Sequence, residues 1–210
     1  MRVVEWSAGR SVSTVERGSG PATILLAHGA GTDQHHPMIV GIAQAIAELG
    51  YRVVTFNYPF TEAGGRRPDR ADTLAACHRA VADDVASRHG EAVVLAGRSM
   101  GGRMGTMLAA DGAPVLGVVA YAYPLHPAGK PDRLRIEHLP RVTVPMLFFQ
   151  GDRDALSRGD LFDRFIRTLP ASSVVDMVGA DHSFRGRGWT PGRLYPFLAE
   201  HTVTWIRAIV

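Results

Sequence analysis

LAGRSMGGRM, residues 95–104, ends an apolar run with a Gly-x-Ser-x-Gly pentapeptide and leads directly into residues that suit a helix. A serine between two glycines at a strand-to-helix turn has two readings. The glycines can simply let a helix pack closely on a strand, or the serine can stand at the tip of a strained turn as a nucleophile. Both readings require a strand that stops where a helix starts. The chemistry depends on what the rest of the chain brings to that turn.

Outward from it, apolar and β-branched runs of strand length recur at residues 22–28, 51–58, 91–97, 115–123, 144–150 and 172–178. They are continuous rather than alternating, as expected for strands buried on both faces of a parallel sheet. Helical stripes lie between most of them. Ile39, Ile42, Ala43, Ile46 and Leu49 repeat at three- and four-residue steps before Gly50, a C-cap. Leu74, Cys77, Val81 and Val85 form a second stripe stopped by Gly90, and Leu161, Phe162, Phe165, Ile166 and Leu169 form a third that ends at Pro170. The last runs from Leu194 to Ile206, with Thr190 as N-cap and Pro191 in the first helical position. Residues 2–17 make a weaker hairpin signal. The alternation predicts an α/β fold with a mostly parallel central sheet and helices on both faces. No repeat, linker or low-complexity tract divides the 210 residues, so 1–210 is expected to be a single domain.

Composition narrows the function. Hydrophobic residues make up 46% and charged residues 20%, as in ordinary globular chains, and the longest apolar runs are about half a bilayer span. No membrane association is expected. The first residues contain no apolar core of a secretory signal, and the single cysteine, Cys77, cannot close an internal disulfide. Both fit a cytoplasmic protein. A net charge of +3, carried almost entirely by scattered arginines with Lys130 as the only lysine, argues against a nucleic-acid partner. GAGTDQ after the first long strand lacks the third glycine of a dinucleotide loop, and the lone lysine sits in GKPD rather than in a phosphate loop. No cofactor is implied.

Ligands of open α/β sheets bind at the carboxyl ends of the strands, and the loops there carry the chemistry. They read LAHGAGTD, AGRSMGG, FQGDRDA and GADHSF. A serine hydroxyl needs a base to take its proton, and that base needs a carboxylate to fix its tautomer. Ser99, an acidic loop and His182 follow one another in that order. Asp154, past Gly151, is better placed to reach over the sheet end than Asp152, and Asp181 diverges from its neighbour His182. The amides of Met100, at the helix start, and Ala30, in HGAG, suit a developing oxyanion. His28 is expected to brace that turn. His35 and His36 point apart and read as a polar helix start, so no metal site is expected. Cys77 lies on an apolar stripe and reads as buried and inert.

Taken together, HGAG, GRSMGGRM, YPLHPAGKP, FFQGDRD and GADHSF, spread over residues 24–184, resemble the α/β-hydrolase superfamily. Within it they are similar to the compact dienelactone-hydrolase-like group related to testis-expressed protein 30 and KAT8 regulatory complex subunit 3. The resemblance implies an α/β-hydrolase fold with little or no lid. It also implies a serine hydrolase with Ser99, Asp154 and His182 as triad and Ala30 and Met100 as oxyanion donors. Arg98, Tyr123, His126 and Lys130 become possible substrate contacts, and the substrate a small acyl compound such as an ester, lactone or thioester. An acyltransferase on the same triad, or an interaction module that keeps the fold, remains open on these residues. YPLHPAGKPDRLRIEHLP is short for a lid, which predicts an open site. Arg98, Arg103, Lys130, Arg153 and Arg185 stand in or beside the strand-end loops, where a charge-assisted bond to a substrate carboxylate competes with plain solvation.

Overall fold

The structure is a computed structural model and describes residues 1–90, 93–186 and 188–210. β1 (Arg2–Ser7) and β2 (Arg10–Arg17) form the expected hairpin, with Ser7 opposite Arg10 and Gly9 at φ +66° in the turn. β2 also pairs antiparallel with β4 (Arg52–Phe56). The remaining strands are parallel: β3 (Thr23–Ala27), β5 (Val93–Arg98), β6 (Gly117–Tyr121), β7 (Met146–Gly151) and β8 (Ser172–Met177). One eight-stranded sheet results, in the order β1-β2-β4-β3-β5-β6-β7-β8. Residues 91–92 of the expected strand 91–97 lie outside the described residues.

The chain leaves β3 toward β4 on one side and returns to β5 on the other. The crevice above the carboxyl ends of β3 and β5 is therefore the switch point where such sheets bind ligands. Ala27 pairs with Gly97 there, so the loops after the two strands start side by side.

Alternate side chains feed two cores. Ile24, Leu26, Val94, Ala96, Val119 and Phe149 meet α1 (Pro37–Glu48) and α6 (Pro191–Ile209) on one face. Leu25, Ala27, Leu95, Val118 and Phe148 meet α3 (Ala71–His89), α4 (Met100–Ala110) and α5 (Gly159–Phe165) on the other. The short α2 (Pro59–Glu62) precedes α3. Ile39, Ile42 and Ile46 of the first predicted stripe are completely buried, and each such side chain contributes roughly 1.5–3 kcal/mol. Cys77 is buried on α3, as its stripe implied. No described helix is long and apolar enough to cross a membrane.

Four expectations shift. α5 ends at Phe165 rather than Leu169: past it the regular bonding lapses, with the Arg167 amide donating to Phe162 O at 3.3 Å and the Leu169 amide to Ile166 O at 3.1 Å, and the Ser172 hydroxyl caps the end 2.7 Å from Ile166 O and 3.0 Å from Leu169 O. β6 spans only the middle of the predicted 115–123 run, since Ala122 turns out of the strand at φ +57°. β8 is an edge strand with half-buried valines rather than a fully buried one. Thr190 occupies the N-cap of α6, but its side chain makes no capping hydrogen bond. Between β6 and β7, one 3-10 turn at Leu139–Arg141 is the only regular structure among the described residues, so that segment builds no helical lid.

Candidate active site

Ser99 sits between the last residue of β5 and the first of α4 with φ +50° and ψ −113°, a conformation costing an L-residue on the order of 1–3 kcal/mol. The glycines around it leave no choice. A Cβ on Gly97 would lie 2.3 Å from Gly101 C, and one on Gly101 would lie 2.6 Å from Ala27 O. Side chains at either position would drive α4 off the sheet. The Ser99 amide donates to Tyr121 O at 2.9 Å, which pins the turn to the end of β6.

His182 reaches Ser99 from the loop after β8. Its Nε2 is 2.8 Å from Ser99 Oγ, and its Nδ1 is 2.7 Å from Asp154 Oδ2. With Nδ1–H donating to the carboxylate, Nε2 is left to accept from the serine hydroxyl. Asp154 is held from two further directions, accepting from Gln150 Nε2 at 3.0 Å and from the Leu156 amide at 2.7 Å. Its side chain is fully buried while that of His182 is 19% exposed. A buried, multiply bonded carboxylate fixes the ring; the exposed edge leaves room for a reactant.

The other acids take different places. Asp152 is exposed and accepts from the Gly179 amide at 2.8 Å, tying the β7 and β8 loops together. Asp181 accepts from the amides of Ser183 and Arg185 at 2.8 and 2.9 Å, shaping the turn that presents His182. Phe184, at φ +54°, completes that turn.

Ala30 and Met100 line one cleft with Ser99, of about 370 Å³. Met100 is the first residue of α4, so its N–H has no partner within the helix. No backbone hydrogen bond among the described residues uses the Ala30 amide. Behind this loop, the Tyr58 amide donates to His28 Nε2 at 3.1 Å, which leaves Nδ1–H to donate to Gly29 O at 2.8 Å. Burial pushes the His28 imidazole down to about 4, so it braces the turn as a neutral ring. His36 is the N-cap of α1, with Nδ1 accepting from the Met38 amide at 3.3 Å, and His35 is exposed. No group of potential metal ligands occurs among the described residues.

The four expected substrate contacts do not line this cleft. Tyr123 is fully buried and donates its hydroxyl proton to Arg135 O at 2.7 Å. His126 is buried too, accepting at Nε2 from the Arg158 amide at 3.1 Å, and so fastens its loop to the one following Asp154. Lys130 is exposed at a loop tip. Tyr123 and His126 share one cause: the segment after β6 folds back on itself and turns these two polar side chains inward. Arg98 is 8% exposed and lies under the site, its Nη2 donating to Ser183 Oγ at 3.0 Å and to His182 O at 3.4 Å. It also borders a second cleft, of about 400 Å³, with Arg185, Trp189 and Tyr195. Arg153 is exposed on the Asp152 side. Of the five basic residues considered above, only Arg103 joins Ser99 in its cleft, where it meets Arg135. Arg135 and Gln150 carry no sequence signature, since each acts only through loop conformation.

The sequence matches the family model of the alpha/beta hydrolase domain over residues 20–201. Among solved structures the chain is similar to a serine hydrolase without a lid from Xanthomonas campestris, at 24% identity over 93% of this chain and 89% of that one, with a TM-score of 0.74. It is similar to a dienelactone hydrolase from Anabaena variabilis at 19% identity, over 100% and 96% of the two chains, with a TM-score of 0.77. A third likeness is to Est1E from Butyrivibrio proteoclasticus with ferulic acid bound, at 13% identity over 99% and 100%, with a TM-score of 0.80.

Proposed function

This chain belongs to the alpha/beta hydrolase domain family and has the α/β-hydrolase fold, and we propose that it is a serine hydrolase of the dienelactone-hydrolase-like kind, cleaving an ester, lactone or thioester. The observation that carries the reading is His182 standing between Ser99 Oγ at 2.8 Å and Asp154 Oδ2 at 2.7 Å. Ser99 Oγ attacks the carbonyl carbon as His182 Nε2 takes its proton, and Asp154 stabilises the resulting imidazolium. The carbonyl oxygen, now an oxyanion, accepts from the Ala30 and Met100 amides. Collapse of the intermediate breaks the bond to the alcohol or thiol, which leaves with the proton from His182. Water then attacks the acyl-Ser99 carbonyl, giving one proton to His182. The second collapse releases the acid and returns that proton to Ser99 Oγ.

A small acyl substrate is supported by the size of the cleft and by the ferulic acid held in Est1E. The absence of a helical lid between β6 and β7 supports an open site. A fluorophosphonate should add one adduct mass at Ser99, and Ser99→Ala should lose both the adduct and the hydrolysis of short-chain esters. A folded wild-type protein that takes no label and cleaves no ester would overturn the reading.

A further inference from the structure

Hydrolysis as described leaves two charges in the Ser99 cleft unused. Arg103 lies one turn along α4, its amide donating to Ser99 O at 3.0 Å. Arg135 is delivered by the fold-back of the segment after β6, its amide donating to Leu125 O at 2.9 Å. Both line the cleft with Ser99, Ala30 and Met100, and the remaining lining is prolines, Ala128 and Leu156, with no carboxylate. Each arginine is half-buried, and Arg103 Nε is buried without a partner among the described residues. Burial and the neighbouring Arg103 charge both push the Arg135 guanidinium down. Among the described residues, neither guanidinium makes a hydrogen bond or an ion pair. Two partly desolvated like charges facing one apolar space repel each other, and an anion between them offsets that cost.

We propose that Arg103 and Arg135 form an anion clamp beside Ser99, and that the substrate is an ester or thioester carrying a carboxylate or phosphate on a short arm near the scissile carbonyl. The proposal rests on the hydrolase reading of Ser99 and adds the class of substrate. Guanidinium forks match the two oxygens of a carboxylate or phosphate in parallel hydrogen bonds. The arm is short because Arg103 starts only about 6 Å along the helix from the nucleophile. Arg98 is not equivalent, since its Nη2 already holds Ser183 and His182.

The test compares ethyl hemisuccinate, an ethyl ester of equal length ending in phosphate, and a neutral branched ethyl ester of equal length, with proton release as the readout. At low salt one of the anionic esters should exceed the neutral one in kcat/KM by about tenfold or more, and whichever leads identifies the group. Added salt should shrink that ratio. Arg135→Met and Arg103→Met should each bring it close to one, and Arg135→Lys should keep part of it. If the wild type cleaves all three esters without favouring an anion, the clamp is overturned and the hydrolase reading stands. If no ester is cleaved and Ser99 takes no fluorophosphonate, the hydrolase reading fails. The clamp is then read from the rise in melting temperature given by succinate or inorganic phosphate: a rise lost in Arg135→Met supports it, and no rise overturns it.

Discussion

Asp154→Asn separates the chemistry of this site from its architecture. The substitution keeps shape and volume, so its effects follow from the changed hydrogen bonding and the lost negative charge beside His182. The Leu156 amide, 2.7 Å from Oδ1, is a fixed backbone donor and holds the new amide oxygen in that place. The NH₂ group must then occupy the position of Oδ2, which is 2.7 Å from His182 Nδ1 and 3.0 Å from Gln150 Nε2. A donor now faces His182, so the ring presents a lone pair at Nδ1 and carries its proton on Nε2, 2.8 Å from Ser99 Oγ. In that tautomer the ring cannot take the serine proton. The expected loss in kcat is roughly 10³–10⁴-fold, as for the equivalent change in a well-studied serine protease, or about 4–5 kcal/mol of transition-state stabilisation. The fold should hardly respond. Gln150 Oε1 is buried without a partner among the described residues, and a half-turn of that amide offers it to the new NH₂. The stability change should stay within about 1 kcal/mol. Steady-state kinetics on a short-chain ester and urea denaturation read the two effects separately. Asp152→Asn is the control, expected to leave kcat within about twofold because among the described residues Asp152 bonds only the Gly179 amide. If Asp154→Asn retained more than about a tenth of wild-type kcat/KM, the assignment of Asp154 as the orienting acid would be wrong.

Arg98→Met should lower kcat about tenfold with little change in KM, because it frees the His182 loop without touching the cleft; an unchanged kcat would remove Arg98 from the positioning machinery. Gly101→Ala should cost roughly 2–3 kcal/mol in urea denaturation, since its Cβ would press on Ala27 O at 2.6 Å and His28 O at 2.7 Å. Stability should fall on acidification from pH 7 toward pH 4. His28 titrates near 4 in the folded protein against 6.5 when unfolded, so between those values the unfolded chain binds the extra proton and is favoured as pH drops. At pH 5 this removes about 2 kcal/mol relative to pH 7, and His138, also pushed down to about 4 by burial, acts in the same direction. Urea midpoints that do not move between pH 7 and pH 5 would contradict it.

What the sequence made legible were features fixed by local sterics. The elbow at Ser99 could be read because its glycines answer to contacts within a few residues and one neighbouring strand. The strands could be read because burial on both faces leaves unbroken apolar runs in β3, β5, β6 and β7. Position along the chain favoured Asp154 over Asp152, but the physical distinction is a turn. Gly151 passes so close to Ala180 that a Cβ would lie 2.3 Å from Ala180 O, and this sends Asp152 outward to Gly179 and Asp154 inward to His182. Tyr123, His126 and Arg135 were not legible in the same way. Their roles depend on how a segment without regular structure folds back on itself, which periodicity does not encode.

The backbone at Ser99 has one more consequence. At φ +50° glycine rests without penalty, so Ser99→Gly should yield a sturdier molecule that does nothing to an ester. Selection for durability alone would push that position toward glycine and erase the hydroxyl. On the hydrolase reading, a side chain kept on a perch that resists it is held there by the work of the hydroxyl, and a melting temperature that rises as turnover vanishes would measure how much robustness this chain forgoes.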